Sequence, residues 1–332
     1  MRKIALFLVL CLLLPFVTGM VFGAIAEGDL PPLISTPIPS STEPTDEEPD
    51  APEQYQEPTP DPETLLRLHQ INIGYGDAYL LTVGDWVILV DCGTNTTDPV
   101  STGRINYPLF TYLEACKIDH IDVHFVTHWH NDHDYNVNLL GALYGTEDTM
   151  VYGVTEKLYK EFDPLVAGTY QELRDGDRLS IGPLEVLVVG PEYKEGIPGN
   201  RNIDSMNFVV TYGDVTMMFT GDFIQSGILK RWWEEITDID ILSFPHHGAE
   251  IQETPVAPYR VINPRLVLIS SAERGIVRNY AMNYAHAPQD AVYLSYLDGH
   301  VLVSTDGENI WYATNVIPGE LPLGELLPPR EN

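Results

Sequence analysis

From about Leu65 onward the chain alternates short apolar runs with glycine- and aspartate-rich breaks, a pattern that predicts a β-rich domain. Residues 68–73, 78–83 and 86–90 are three such runs, separated by Gly74-Tyr75-Gly76-Asp77 and Gly84-Asp85. Breaks of that composition make tight turns, so the spacing predicts an antiparallel meander. Over residues 104–116 the period changes, and Leu109, Tyr112, Leu113 and Cys116 fall on one face of a helix. Strands are expected at 123–126, 150–154 and 184–189, with a helix at 156–162 between the last two. Residues 208–212 and 215–220 read as a hairpin turned at Gly213-Asp214. A helix at 224–233, strands at 239–244 and 266–270, a helix at 290–297 and a strand at 301–305 complete the pattern. Two groups of strands with helices outside them predict a layered α/β fold of two packed sheets.

The flanks read differently. Arg2 and Lys3 precede an apolar run over residues 4–17 and then small residues, so residues 1–26 are expected to be a signal peptide or membrane anchor. That places the protein outside the cell, either secreted or anchored to the outer face of the cytoplasmic membrane, with the envelope as a partner through this segment. Residues 27–64 hold eleven acids, no Lys or Arg, and much Pro, Thr and Ser, the composition of a disordered linker. Residues 65–315 are then the folded domain and 316–332 a tail.

Charge narrows the partners. The 332-residue chain carries a net −30, of which −19 lies in residues 65–319. A long duplex track, which is held by neutralising phosphates with Lys and Arg, is disfavoured. A compact site with bound cations can still take one phosphate, because the ions reverse the local field. No protein partner is predicted. Cys92 and Cys116 do not amount to a disulfide framework.

The densest chemistry follows the 123–126 run, in Thr127-His128-Trp129-His130-Asn131-Asp132-His133-Asp134. No turn or capping rule asks for three imidazoles and a carboxylate at H-x-H-x-D-H spacing, whereas metal ligation does, with zinc, manganese or iron as suited ions. Three later apolar runs also end in ligand types: one in Asp222, one in His246-His247, and one in a loop that carries Arg274, Arg278 and His286. No histidine lies between Asp134 and Pro245.

These residues, in this order, resemble the metallo-β-lactamase superfamily. The set Ile73-Gly74-Tyr75-Gly76-Asp77-Ala78, Val90-Asp91-Cys92-Gly93, Thr220-Gly221-Asp222, Pro245-His246-His247-Gly248 and Asn283-Tyr284-Ala285-His286-Ala287-Pro288 resembles more narrowly the metallo-β-lactamase domain of the ComEC DNA-uptake proteins. The resemblance implies an α/β fold, the four-layer αββα metallo-β-lactamase sandwich, and a hydrolase using two divalent ions, zinc first and manganese second. It implies His128 and His130 on one ion, Asp132 and His133 on the other, Asp222 between them, and one of the pair His246-His247, with His247 the favoured choice, completing the second site. His246 and His286 would then face the substrate, with Asp132 also in the catalytic set. The family's usual third histidine on the first ion is missing here, and Asn207 or Asp204 is the candidate to stand in for it. The expected activity is a ComEC-like phosphodiesterase acting on a phosphodiester or other small ester, single-stranded nucleic acid included. The alternatives are an esterase of cell-wall phosphorylcholine or teichoic acid, and a non-catalytic wall-binding module.

Overall fold

The meander expected at the start of the domain forms as β1 (Leu66–Gln70), β2 (Tyr79–Val83) and β3 (Trp86–Val90), each antiparallel to the next. The computed structural model describes residues 59–93, 107–155, 169–192, 202–248, 256–271, 287 and 289–330. Helix α1 (Tyr107–Ala115) leads to β4 (Val123–Phe125), the one-turn helix α2 (Asn131–Asp134) and α3 (Val137–Tyr144). Strands β5 (Met150–Gly153), β6 (Thr169–Glu172), β7 (Arg178–Ile181), β8 (Leu184–Gly190), β9 (Asn207–Tyr212) and β10 (Val215–Phe219) come next. The one-turn helices α4 (Ile228–Arg231) and α5 (Trp233–Ile236), β11 (Ile241–Ser243), α6 (Val256–Ile262) and β12 (Leu266–Ile269) follow. The chain closes with β13 (Val292–Leu294), α7 (Ser295–Asp298), β14 (Val301–Thr305), β15 (Ile310–Ala313) and β16 (Glu325–Leu326).

These strands make two sheets, in the orders β16-β15-β14-β1-β2-β3-β4-β5-β6 and β13-β12-β11-β10-β9-β8-β7. Their packing follows from the two-residue period of a strand, which sends successive side chains to opposite faces. On β10, Val215, Met217 and Phe219 enter the core between the sheets, while Met218 joins a second core on the outer face. On β12, Leu266 and Leu268 point inward and Val267 and Ile269 outward. Both faces are therefore buried, which is why these strands read as unbroken apolar runs. Ile228, Ile236, Tyr259 and Ile262 from α4 to α6 cover the outer face of the second sheet, and Leu109, Leu113, Val137 and Leu140 from α1 and α3 belong to the core of the first. The expected αββα sandwich is the result. Phe125, Phe208, Phe219 and Tyr79 form a chain of ring contacts through its centre, with centroids 4.7, 5.1 and 5.5 Å apart.

Three expectations need correction. The 224–233 helix is instead two single turns broken at Trp232 (φ −129°, ψ 30°), whose indole donates to Asp175 Oδ1 at 2.7 Å. The 290–297 helix is instead a strand followed by a turn of helix. Pairing of Val292–Leu294 with Val267–Ile269 overrides local helical spacing and buries Val292 and Leu294 on one face. The segment expected to be a tail from 316 onward is part of the fold: β16 pairs with β15, and Leu327 is 6% exposed in the inter-sheet core. Arg330 is held by the carbonyls of Asn263, Asp238 and Ile239. The expected helix at 156–162 and the flanking segments 1–26 and 27–58 lie outside the described residues. Among the described residues no helix is long and apolar enough to cross a membrane.

Candidate metal centre

Strands β3, β4, β10, β11 and β12 all finish on one edge, where the ends of parallel strands habitually build sites. Asp91 follows β3, the His-rich stretch follows β4, Asp222 follows β10, His246-His247 follows β11 and Ser270 follows β12. Backbone strain gathers at the same edge. Asp91, His246 and His247 are non-glycine residues in the left-handed region, with φ of 54°, 55° and 51°. Gly93 is needed for contact, since a Cβ there would overlap the backbone of Asp132 and His133.

Asp222, 2% exposed, lies at the centre. Its Oδ1 faces His133 Nε2 at 2.9 Å and His247 Nε2 at 3.7 Å, while its Oδ2 faces His128 Nε2 at 3.5 Å and His246 Nε2 at 3.7 Å. His247 Nε2 also lies 3.3 Å from Asp132 Oδ2, and His128 Nε2 lies 3.1 Å from His130 Nδ1. Two groups therefore share one carboxylate, Asp132-His133-Asp222-His247 and His128-His130-Asp222, and within each the candidate ligand atoms are no more than 4.8 Å apart.

The surroundings aim these rings. Asp91 Oδ2 lies 2.8 Å from His133 Nδ1, and the same carboxylate accepts from the Thr127 amide and hydroxyl at 2.7 Å each. With its Nδ1 proton directed at Asp91, His133 turns Nε2 toward Asp222. His247 donates from Nδ1 to the Ser270 carbonyl at 3.0 Å, with Asp77 Oδ1 at 3.4 Å, so its Nε2 likewise faces the carboxylates. Ser205 Oγ accepts the Asp222 amide at 3.0 Å and lies 3.3 Å from His128 Nδ1. Sequence reading did not single out Asp77, Asp91 or Ser205 as site residues. Asp77 and Asp91 each carry a visible signal, an acid beside an apolar run, whereas Ser205 carries none.

Electrostatics point the same way. Burial alone would lower the His133 pKa, but the carboxylates of Asp222 and Asp91 outweigh it and hold the imidazole well above its ordinary value. Burial opposes ionisation of Asp222 too, yet His133 and His128 hold its pKa well down. His128, buried and beside His133, falls to about 4. For Asp132 the penalty of burial is outweighed by His247 and His133, which bring it down to about 2. Such a cluster is an acidic cage with imidazole nitrogens and carboxylate oxygens turned inward. The buried His133 Nε2 and Asp222 Oδ1 face one another without hydrogen-bond geometry, as ligand atoms do around a cation. The His and carboxylate donor set fits zinc or manganese.

Other expected residues fall differently. His246 belongs to neither group; its side chain is 18% exposed, and its Nε2 lies 3.0 Å from the Asn202 amide nitrogen. Asn207 does not replace the missing histidine: its Nδ2 donates to the carbonyls of Thr220 and Phe223 at 2.7 and 2.9 Å, fastening the turn that carries Asp222. Asp204 is buried but joins neither group. His286, Arg274 and Arg278 lie outside the described residues. Tyr75, at the tip of the β1–β2 loop, sets its ring against His247 with centroids 4.7 Å apart.

The profile described as "Metallo-beta-lactamase superfamily" matches residues 71–264, more than half of the chain. The chain belongs to the metallo-β-lactamase superfamily. With the two ligand groups in place, it is a metal-dependent hydrolase of that superfamily. Among solved structures it is similar to the metallo-β-lactamase fold protein YhfI from Bacillus subtilis, 16% identical with a TM-score of 0.48 over 75% of this chain and 100% of that one. It is also similar to Igni18, a metallo hydrolase from Ignicoccus hospitalis, 13% identical with a TM-score of 0.46 over 72% and 98% of the two chains. A third likeness is to a diphosphatase from the PhnP family, 12% identical with a TM-score of 0.42 over 69% and 94%. No curated protein matches the sequence.

Proposed function

We propose that the chain is an exported, metal-dependent phosphodiesterase of the ComEC-like kind, acting on short or single-stranded nucleic acid. The observation that supports it best is the divided carboxylate of Asp222, whose two oxygens face two separate histidine groups. A pair of adjacent cation positions is the arrangement that suits in-line displacement at phosphorus. In this reading His128, His130 and Asp222 hold one ion, and Asp132, His133, His247 and Asp222 hold the other. The ions, when bound, lower the pKa of water and offset the charge of the phosphate.

The chain's own residues do the rest. Asp132, partly exposed at the mouth and held anionic, accepts a hydrogen bond from the attacking water and orients it, while the water gives up its proton to solvent. The water oxygen forms a bond to phosphorus, the bond from phosphorus to the leaving oxygen breaks, and the leaving oxygen receives a proton. His246, steadied by Asn202 on the other side of Asp222, stands where that proton is delivered, with His286 as the second candidate. A second reading, hydrolysis of phosphorylcholine or teichoic-acid esters in the cell wall, is favoured by the net charge of −30, which repels long polyanions.

Metal analysis and a model diester test the proposal together. The purified chain reconstituted with zinc or manganese should hold close to two ions and hydrolyse bis-p-nitrophenyl phosphate, and Asp132→Ala should lower kcat at least 100-fold. A metal content near zero overturns it, as does turnover confined to carboxylic esters or β-lactams. Cleavage of a single-stranded oligonucleotide supports the nuclease reading, whereas release of phosphorylcholine alone supports the second.

A further inference from the structure

We infer that Tyr75 is a substrate-contacting residue, whose phenol donates a hydrogen bond to a phosphate oxygen held at the metal centre. This deepens the phosphodiesterase reading and rests on it. Two neighbouring side chains have other roles: His246, the proton donor to the leaving oxygen, is engaged with Asn202, and His247 spends its Nδ1 proton on the Ser270 carbonyl. The Tyr75 hydroxyl has no hydrogen-bond partner among the described residues, although its ring is half-buried against His247 at an interplanar angle of 51°.

The loop that carries Tyr75 is built to keep it there. Ile71 N donates to the Ala78 carbonyl at 3.0 Å and Gly74 N to Asn72 Oδ1 at 3.2 Å, which closes the loop on itself. Asp77 N donates to the Asp132 carbonyl at 2.9 Å, tying the loop to the backbone that presents a ligand. Gly76, at φ 124°, has no room for a Cβ because the carbonyls of Gly93 and Asp132 press against it. Tyr75 is thus carried on a turn fastened to the metal-ligand loop, with its ring on His247 and its hydroxyl an unspent donor among the described residues.

The chemistry of that donor suits an anionic substrate in an acidic site. Asp77, Asp91, Asp132 and Asp222 crowd the cluster, so a phosphate entering it needs donors that add no negative charge of their own. A neutral phenol meets that need, and a pre-oriented donor of this kind strengthens as charge develops on oxygen. Tyr75 takes no proton and breaks no bond in this role.

The test compares wild type with Tyr75→Phe, which keeps the ring on His247 and removes only the hydroxyl. Metal content and thermal midpoint should be unchanged. Inorganic phosphate should bind the metal-loaded variant about tenfold more weakly by calorimetry, and kcat/KM for bis-p-nitrophenyl phosphate should fall about 100-fold. Phosphate affinity and kcat/KM both within threefold of wild type would overturn the assignment. The phosphodiesterase reading is judged separately, by whether wild type turns over the diester at all. If it does not, the phosphate titration still decides whether Tyr75 contacts the bound anion. A Tyr75→Leu variant, which removes the ring as well, should weaken phosphate binding at least as much as Tyr75→Phe; retention of wild-type affinity in it would also overturn the assignment.

Discussion

Asp91 shows how much a residue can matter without touching substrate. It is 1% exposed, its backbone is left-handed at φ 54°, and its two oxygens gather Thr127 and His133. A partner that fixes the outer nitrogen of a ligating histidine typically contributes 10- to 100-fold in metal affinity. Asp91→Asn should therefore weaken zinc binding by about that factor, as read by competition with a chelating dye, with the secondary structure intact by circular dichroism. Gly93→Ala should be harsher, because the added methyl overlaps the backbone of Asp132 and His133. The expected result is a loss of about 3 kcal/mol or more in urea unfolding, the scale of severe steric misfits.

At the scale of elements, what was legible in sequence were the strands buried on both faces and the ligands that follow them. Trp86–Val90, Val301–Thr305 and the hairpin at Gly213-Asp214 formed where the apolar runs lie. Strand β6, Thr169–Glu172, was missed because it is a polar edge strand with alternate residues exposed. Strand β13 was read as helix because its pairing partner lies 25 residues earlier, which local periodicity does not report. The site divides in the same way. The H-x-H-x-D-H stretch stands out by density alone, whereas the role of Asn207 depends on carbonyls 13 and 16 residues away. Asn207→Ala leaves the buried Thr220 carbonyl without this donor, at a cost of about 1–3 kcal/mol, and frees the part-buried Phe223 carbonyl as well, so the variant should lose stability on that scale together with metal affinity. Leu327→Ala, in the segment that sequence reading set aside as a tail, should cost about 2–4 kcal/mol in the same unfolding assay, a large-to-small loss in the core.

For the whole molecule, acid sensitivity follows from a histidine that belongs to neither ligand group. Burial drives His124 down from 6.5 to about 3, and its Nε2 has no hydrogen-bond partner. In the unfolded chain this imidazole takes up a proton as pH falls through 6.5, whereas the folded protein refuses it until about pH 3. Its stabilising effect is thus complete above pH 6.5 and declines by about 1.4 kcal/mol per pH unit below it. Asp134, whose carboxyl is lifted to about 7 by burial, acts with the opposite sign in the same range. The informative measurement is therefore a difference: between pH 6 and pH 4 the unfolding free energy of His124→Leu should fall by roughly 1.4 kcal/mol less per pH unit than that of wild type. The centre itself answers to another kind of linkage. Because one carboxylate, Asp222, serves both ligand groups, the free energy of filling either position contains a contribution from the other. Whatever the first ion does to the affinity for the second, the second does to the first. Zinc should load as a coupled pair whose isotherm departs from two independent sites, so that scarcity of metal changes the mixture of empty, half-filled and filled molecules and not merely the average occupancy.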